Sequence, residues 1–369
     1  MDDEPQPTSD AGRDAGHHAS GSGDASTDAA TPEDYPPLVD CGFKDWSTPF
    51  TWTPTSVTLK SYTTAPNDAY ESYIGSPDVH DNGAVWDMFY AMSDAKGVGR
   101  IGHATSQDRG VTWKRDAVRM DPYGNTYASA FLDTPSALYE GGALSLYVFA
   151  NSMLKTPGGR IGYSVRKDEA WTYPFADAVL SAGAETAWDG LWVESPEVKR
   201  IGKSYFMWFT GIDSQWIVGH GVATSEDGVH WKKHEQNPVV RASDDPARFD
   251  SFLPGGTSVV QTPSGAFLMF YACGSRYQAA FPPLVGNLCL SISAPGDGKT
   301  FHKYPSDAAP TPMIPSSYFA GLNQDGVTII NGPINPSVIA DREQGVLKIY
   351  YENQSSFLGL LTLPICKGM

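Results

Sequence analysis

The chain is predicted to fold as an all-β, five-bladed β-propeller of four-stranded antiparallel blades, and three observations carry that expectation. First, one phrase returns along the chain. It reads Ser106-Gln107-Asp108-Arg109-Gly110-Val111-Thr112-Trp113, then Ser164 with Asp168 and Trp171, then Ser225-Glu226-Asp227-Gly228-Val229-His230-Trp231, then Ser293 with Asp297, Gly298 and Phe301. The four serines stand 58, 61 and 68 residues apart, a period that belongs to propellers and solenoids. Second, an aromatic strand precedes each phrase: Met88-Phe89-Tyr90, Leu146–Phe149, Phe206–Phe209 and Leu268–Tyr271, with Ile349-Tyr350-Tyr351 as a fifth. Third, no segment of useful length carries a helical period.

Each unit reads as strand, turn, aromatic strand, strand, Asp-Gly turn, strand. The first strand opens Ser76-Pro77-Asp78-Val79, Thr134-Pro135-Ser136-Ala137, Ser195-Pro196-Glu197-Val198, Gly256-Thr257-Ser258-Val259 and Asn335-Pro336-Ser337-Val338. Turns such as Asp81-Asn82-Gly83, Glu140-Gly141-Gly142 and Pro263-Ser264-Gly265 lead into the aromatic strands, with glycine supplying the backbone freedom of a tight hairpin. In the recurring phrase Asp and Gly make the bend and a large aromatic clamps it, so these phrases are expected to be structural. The blades span about 72–120, 127–180, 187–240, 250–310 and 326–364. The fifth lacks its closing phrase, and the strand at 50–60, with Trp52 followed by β-branched residues, is expected to complete it. A two-sheet sandwich explains the regular spacing less well.

Residues 1–37 read as a disordered, acidic, low-complexity tail ahead of a single domain over 38–369. The formal charge is −16, and residues 2–34 contribute nine acidic groups against one base, Arg13. That stretch contains no Val, Ile, Leu, Met, Phe or Trp, so it cannot bury enough surface to offset chain entropy. An acidic chain repels phosphate backbones, which argues against nucleic acid as a partner. No apolar run of about 18 residues is present, so no membrane helix is expected. Four cysteines suggest export: Cys273 and Cys289 flank one loop between two strands, and Cys41 and Cys366 lie near the two ends of the folded part, which gives two local disulfide pairings. The chain opens Met-Asp-Asp-Glu without a signal peptide, so a secreted or cell-surface protein is expected, with the opening Met standing for a removed leader and the tail as tether. A monomer is expected, because a closed ring leaves no sheet edge to pair.

A propeller gathers the first strand of every blade around a central funnel. Two acidic residues stand at equivalent openings, Asp133 and Glu194, each two residues before a proline. Paired carboxylates in a cleft suit glycosidic cleavage, one protonating the leaving oxygen while the other bears charge. A second recurring set is Asp68, Asp189, Asp250 and Asp325, which could ring the funnel mouth or cap backbone N–H groups. Trp192, Trp86 and Trp216 are the aromatics expected to stack on a sugar. His103 and His220 recur in matching contexts, which favours packing. No His or Cys spacing forms a zinc site.

These features resemble the five-bladed propeller superfamily of invertases, levansucrases, arabinanases and β-xylosidases, glycoside hydrolase families 32, 43, 68, 117 and 130. The resemblance rests on the Ser-x-Asp-Gly-x-x-Trp phrases, the openings ending in Pro and Glu194-Ser195-Pro196, and covers about residues 50–364. It implies a glycosidase acting on an extracellular oligo- or polysaccharide, with Glu194 as general acid and Asp133 as the carboxylate that positions the sugar. No cofactor is expected to be required, and the resemblance alone allows a structural calcium ion in the channel. The resemblance demands an Asp where Ser76 stands, so the base is open among Asp68, Glu71 and Asp78, with Asp68 foremost. Asp189, Asp250, Ser76, Trp192 and Trp86 are the expected substrate contacts. Two other readings stay open: a sugar-binding propeller that has lost catalysis, with Ser76 as the mark of the loss, and a sialidase-like enzyme, since Ser106–Trp113 is a complete Asp-box. Sialidases have six blades and a trio of arginines, which this sequence lacks.

Overall fold

The computed structural model describes residues 53–60, 72–94, 96–123, 127–151, 159–167, 170–262, 264–276, 286–316, 333–353 and 357–364. Its elements are strands throughout. The first is β1 (Thr53–Lys60). Blade one holds β2 (Tyr73–Asp81), β3 (Trp86–Ser93), β4 (Gly99–Ser106) and β5 (Lys114–Met120). Blade two holds β6 (Phe131–Glu140), β7 (Ala143–Asn151), β8 (Arg160–Lys167) and β9 (Ala170–Thr172). Blade three is β10 (Trp192–Ile201), β11 (Ser204–Ile212), β12 (Val218–Ser225) and β13 (Lys232–Lys233), with β14 (Val240–Arg241) also on β12. Blade four is β15 (Thr257–Gln261), β16 (Phe267–Cys273), β17 (Asn287–Ser293) and β18 (His302–Lys303). Blade five is β19 (Ile334–Asp341), β20 (Val346–Asn353) and β21 (Phe357–Pro364), and β1 pairs with β21 to complete it. The five antiparallel sheets form a five-bladed propeller closed by the N-terminal strand, as the spare strand at 50–60 implied.

The aromatic second strands are the core. Nearly every residue of β3, β11 and β16 is buried on both faces, which is why they read as continuous apolar runs rather than alternating ones. Five apolar clusters form, and each spans one blade boundary. Blades one and two share Phe89, Ile101, Leu132 and Leu146, blades two and three Tyr147, Ile161 and Val193, and blades three and four Trp208, Val222 and Met269. Blades four and five share Phe270, Leu290 and Ile349, and blades five and one Trp86, Met88 and Tyr350.

The recurring phrases lock these boundaries. In three of them the serine hydroxyl meets the Asp carboxylate and accepts the Gly N–H: Gly110 N to Ser106 Oγ at 2.8 Å, Gly228 N to Ser225 Oγ at 2.9 Å and Gly298 N to Ser293 Oγ at 3.0 Å. The same glycine carbonyl then accepts from the second strand of the preceding blade, from Tyr350 at 2.9 Å, Tyr147 at 2.7 Å and Trp208 at 2.9 Å. Each of those glycines has a positive φ, between 63° and 79°, that a larger residue adopts at a cost.

A second device encircles the axis. The residue after each opening proline, or after Gly256-Thr257 in blade four, accepts a backbone N–H from the next blade. Asp78 takes Ala137 N at 2.6 Å, Ser136 takes Val198 N at 2.9 Å, Glu197 takes Val259 N at 3.3 Å, Ser258 takes Val338 N at 3.0 Å, and Ser337 takes Val79 N at 3.0 Å. The ring of five hydrogen bonds is closed.

Cys273 and Cys289 form a disulfide across β16 and β17, with Cα atoms 6.0 Å apart. Cys41 and Cys366 lie outside the described residues, as does the stretch 1–37. Among the described residues no helix is long and apolar enough to cross a membrane.

Candidate active site

The opening of each innermost strand bends. The register slips between Gly75 and Asp78, Asp133 and Ser136, Glu194 and Glu197, and Ile334 and Ser337, four bulges at equivalent places. At each bulge a non-glycine residue takes a left-handed backbone: Ser76 at φ 45°, Thr134 at 40°, Ser195 at 50° and Asn335 at 46°. Blade four differs: its innermost strand pairs without a slip, and its positive φ falls one residue earlier, at Gly255 (74°). Such conformations cost on the order of 1–3 kcal/mol each and concentrate where side chains are aimed for function. The residue just ahead of the strained position is Gly75 in blade one, Asp133 in blade two and Glu194 in blade three.

Asp133 and Glu194 therefore project from matching bulges of adjacent blades. Burial pushes both carboxyls up to about 7. For Asp133 the charge of Glu352 adds to this, opposed by hydrogen bonds from the Thr134 N–H and the Ser76 hydroxyl. For Glu194 the charge of Asp133 adds, and the Trp192 indole acts in the opposite sense. A carboxyl that keeps its proton to near neutrality is what a general acid requires.

A third carboxyl, Glu352, enters from β20, paired in register with Ile334. It is 3% exposed. The Tyr73 hydroxyl donates to its Oε1, while its Oε2 accepts from the Ser76 N–H at 3.0 Å, Asn335 Nδ2 at 2.8 Å and the Ser76 hydroxyl at 3.4 Å. Burial raises its pKa, and those donors counter the shift. The single Ser76 O–H proton has Asp133 Oδ1, at 2.9 Å, as its nearer acceptor and Glu352 Oε2 as the farther alternative, while the Ser76 oxygen accepts from Asn335 Nδ2 at 2.9 Å. Serine, asparagine and two carboxyls are thus joined in one network. Glu352 escaped the sequence reading, which stopped the fifth aromatic strand at Tyr351. The available signal was a carboxylate directly following a buried apolar run, opposite the Asn335-Pro336 opening.

Below the bulges the channel narrows to a cavity of about 30 Å³, lined by the four opening prolines, Ser76, Thr134, Ser195 and Asn335 among others, and then widens to about 450 Å³ beyond the hydrogen-bond ring. A constriction of that size holds about one water.

The other expected residues fall in several places. Trp192 stands two residues before Glu194, and its ring meets Trp216 edge-on with centroids 5.1 Å apart. Trp216 is 60% exposed, held at φ 62° in a turn that Asp213 ties through the Gln215 and Ile217 N–H groups. Trp86 lies elsewhere. It is 1% exposed at the boundary of blades one and five, with the Arg109 guanidinium 5.3 Å and the Lys348 ammonium 4.9 Å from its ring, so neither face is open to a sugar. Asp189 and Asp250 are buried in ion pairs that bind them to the outermost strand of their own blades. Asp189 pairs with Lys233, and Asp250 with Lys303 at 2.7 Å and Arg248 at 2.9 Å. Their recurrence reflects that repeated lysine. Asp78 belongs to the hydrogen-bond ring and is further held by His80 at 2.7 Å. Asp68, Glu71 and Asp325 lie outside the described residues. His103 packs on Phe89 between Asp87 and Asp116, and His220 is buried against Thr210 and Tyr271, where burial drives its pKa down to about 3.

For a channel calcium the residues offer little. Among the described residues no three His, Cys, Asp or Glu side chains converge as a ligand set, and the oxygens of Glu352 face N–H and O–H donors. These residues do not form a calcium cage, and no step below runs through a metal.

No protein-family model matches the chain. No curated protein matches it by sequence. Solved structures match over most of its length. A putative glycoside hydrolase from Parabacteroides distasonis aligns at TM-score 0.59 and 16% identity, covering 86% of this chain and 97% of that one. A family 117 glycoside hydrolase from Zobellia galactanivorans aligns at 0.54 and 17%, covering 85% and 89%. An endo-arabinase from Bacteroides thetaiotaomicron aligns at 0.54 and 12%, covering 84% and 97%. At these identities the likeness establishes the shared propeller.

Proposed function

We propose that this chain is a glycoside hydrolase that cleaves an extracellular oligo- or polysaccharide, with Glu194 as general acid and Asp133 as the carboxyl that grips the sugar at the reacting ring. One observation carries the reading: two carboxyls project from equivalent bulges of adjacent blades, where burial pushes the pKa of each up to about 7. Glu194 then has a proton to give the leaving oxygen under ordinary conditions. Trp192 and Trp216 add a reason to expect a sugar, since an exposed indole in a strained turn beside an acid offers an apolar platform for a pyranose or furanose face. The glycoside hydrolase neighbours are consistent with a carbohydrate substrate. Export belongs to the same proposal, and the Cys273–Cys289 disulfide supports it.

The test is hydrolysis of a broad panel of aryl glycosides and plant and microbial polysaccharides by the wild type beside Glu194→Gln. Turnover that falls about 10³-fold in the variant establishes the acid. Absence of turnover by the wild type, with sugar binding retained, makes the chain a binding propeller instead.

A further inference from the structure

Gly75 holds in blade one the place that Asp133 and Glu194 hold in blades two and three, immediately ahead of the left-handed residue and its proline. It carries no side chain, yet the space beside it is full. A Cβ on Gly75 would lie 2.6 Å from both Cδ and Oε2 of Glu352 and 2.1 Å from the Tyr73 hydroxyl. The carboxyl of Glu352 therefore fills the volume that a first-blade side chain would use, having crossed the boundary from blade five.

Burial leaves the pKa of this carboxyl raised, and the hydrogen-bond donors around it work against that shift. Three donors are committed to it, from Tyr73, the Ser76 backbone and Asn335, and the Ser76 hydroxyl oxygen stands 3.4 Å from its Oε2. Such convergence favours the charged form against the cost of burial. Ser76 lines the constriction and hydrogen-bonds this carboxyl through its backbone N–H. A serine is a poor base alone, but one backed by a carboxylate can pass a proton inward.

We infer that Glu352 is the third carboxyl of the site, supplied by blade five in place of the missing first-blade residue, and that it receives through Ser76 the proton of the attacking water. This rests on the glycosidase reading above. In the step, the Ser76 O–H turns from Asp133 Oδ1, 2.9 Å away, to Glu352 Oε2, 3.4 Å away, and Ser76 passes its proton there while water gives one to Ser76 Oγ. The water oxygen bonds to the anomeric carbon, and the glycosidic C–O bond breaks with its electron pair going to the leaving oxygen. That oxygen takes the proton of Glu194. One water is consumed, and one proton moving through solvent from Glu352 to Glu194 restores both groups. Glu352 is too buried to reach an anomeric carbon itself, so the geometry assigns it to a water-activating role rather than to a covalent one.

The experiment compares Glu352→Gln, Ser76→Ala and Glu194→Gln on aryl glycosides of every sugar in the panel, each prepared with a phenolate and with a dinitrophenolate leaving group. Glu352→Gln is expected to lose about 10³-fold in kcat/KM on both, because water activation is needed whatever departs, and to lose the acidic limb of its pH profile. Glu194→Gln is expected to lose activity on the phenolate and recover it on the dinitrophenolate, which departs without help. Formate or azide should restore part of the activity of Glu352→Ala by entering the vacated space. Should Glu352→Gln not fold, Ser76→Ala reads the same relay, since it leaves the Tyr73, Asn335 and backbone donors in place. Glu352→Gln activity within threefold of wild type, or a loss that the better leaving group repairs, overturns the inference while leaving Glu194 as the acid. A wild type inert on every sugar overturns the functional reading and this inference with it.

Discussion

The Tyr147 hydroxyl of blade two donates to the Gly228 carbonyl of blade three at 2.7 Å, in the interior of the boundary between them. Trp231 stands edge-on to the same tyrosine, with centroids 5.9 Å apart. The recurring phrase thus works across a boundary: its bend presents a carbonyl, and the aromatic second strand of the neighbour supplies the donor.

Tyr147→Phe keeps the ring and removes that donor, leaving a buried carbonyl unpaired. The expected cost is about 1–2 kcal/mol, read as a lower denaturant midpoint at unchanged slope. Gly110→Ala should cost more, at least about 2 kcal/mol, since its φ is 79° and its Cβ would fall 1.9 Å from the Tyr350 hydroxyl. An unchanged midpoint for both would remove the phrase from the forces holding the ring.

Ser136→Ala and Ser337→Ala each open one link of the hydrogen-bond ring around the axis and strand a buried N–H, of Val198 and Val79 respectively. Each should cost about 1–3 kcal/mol. Chemical denaturation of the double variant tests whether the ring is more than its links. A coupling beyond about 0.5 kcal/mol marks it as one unit, and strict additivity marks it as five separate bonds.

The raised carboxyls set a direction for pH. Glu194 has an ordinary value of 4.5 and is pushed up to about 7, so between those values the folded chain holds a proton that the unfolded chain has lost. Its contribution to stability is full below about pH 4.5 and is lost as pH rises through 7. Glu194→Gln should therefore melt about 2 °C above wild type at pH 8 and show no gain at pH 4. In the wild type, kcat/KM should fall as pH rises through 7, where the acid loses its proton. A flat profile from pH 5 to 9 would separate Glu194 from proton transfer.

Asp189→Asn and Asp250→Asn distinguish a structural role from a sugar contact. Each leaves a lysine of the outermost strand without its carboxylate, Lys233 or Lys303, at an expected cost of about 3 kcal/mol. KM measured on the fraction that remains folded should be unchanged. A tenfold rise in KM without loss of stability would place these residues at the substrate after all.

The sequence was most legible where the chemistry is local. Prolines at the openings, Asp-Gly bends and aromatic strands are each specified within a few residues, and their repetition exposed the propeller, including the closure of blade five by a strand within 50–60, seen as β1 (Thr53–Lys60). Asp133 and Glu194 could be paired because both precede a proline by two positions. Glu352 could not be paired that way. Its partner is the absence of a side chain at Gly75, and the two meet only when the first and last blades close on each other. Asp189 and Asp250 looked like a functional set because they recur, but what recurs with them is Lys233 and Lys303, in two-residue outer strands too short to stand out in the sequence. Trp86 resembled a platform only so long as Arg109 and Lys348, distant in sequence, were not seen against its ring.

The pairing of β1 with β21, with Thr53 opposite Thr362, sets the order in which the molecule can be finished. Blades one to four are each made from consecutive chain and can form as they emerge from the ribosome. The fifth joins the earliest described strand to the latest, so its outermost strand must wait, unpaired, until everything between has been synthesised. Its contacts carry the largest sequence separations in the fold and are among the slowest to form. During that wait β1 remains open to strands of other nascent copies, and the edge of β21 is open in turn from its own synthesis until β1 covers it. Closing the ring also seats blade five against blade one and so brings Glu352 to Gly75, so the candidate site is completed only when the ring is.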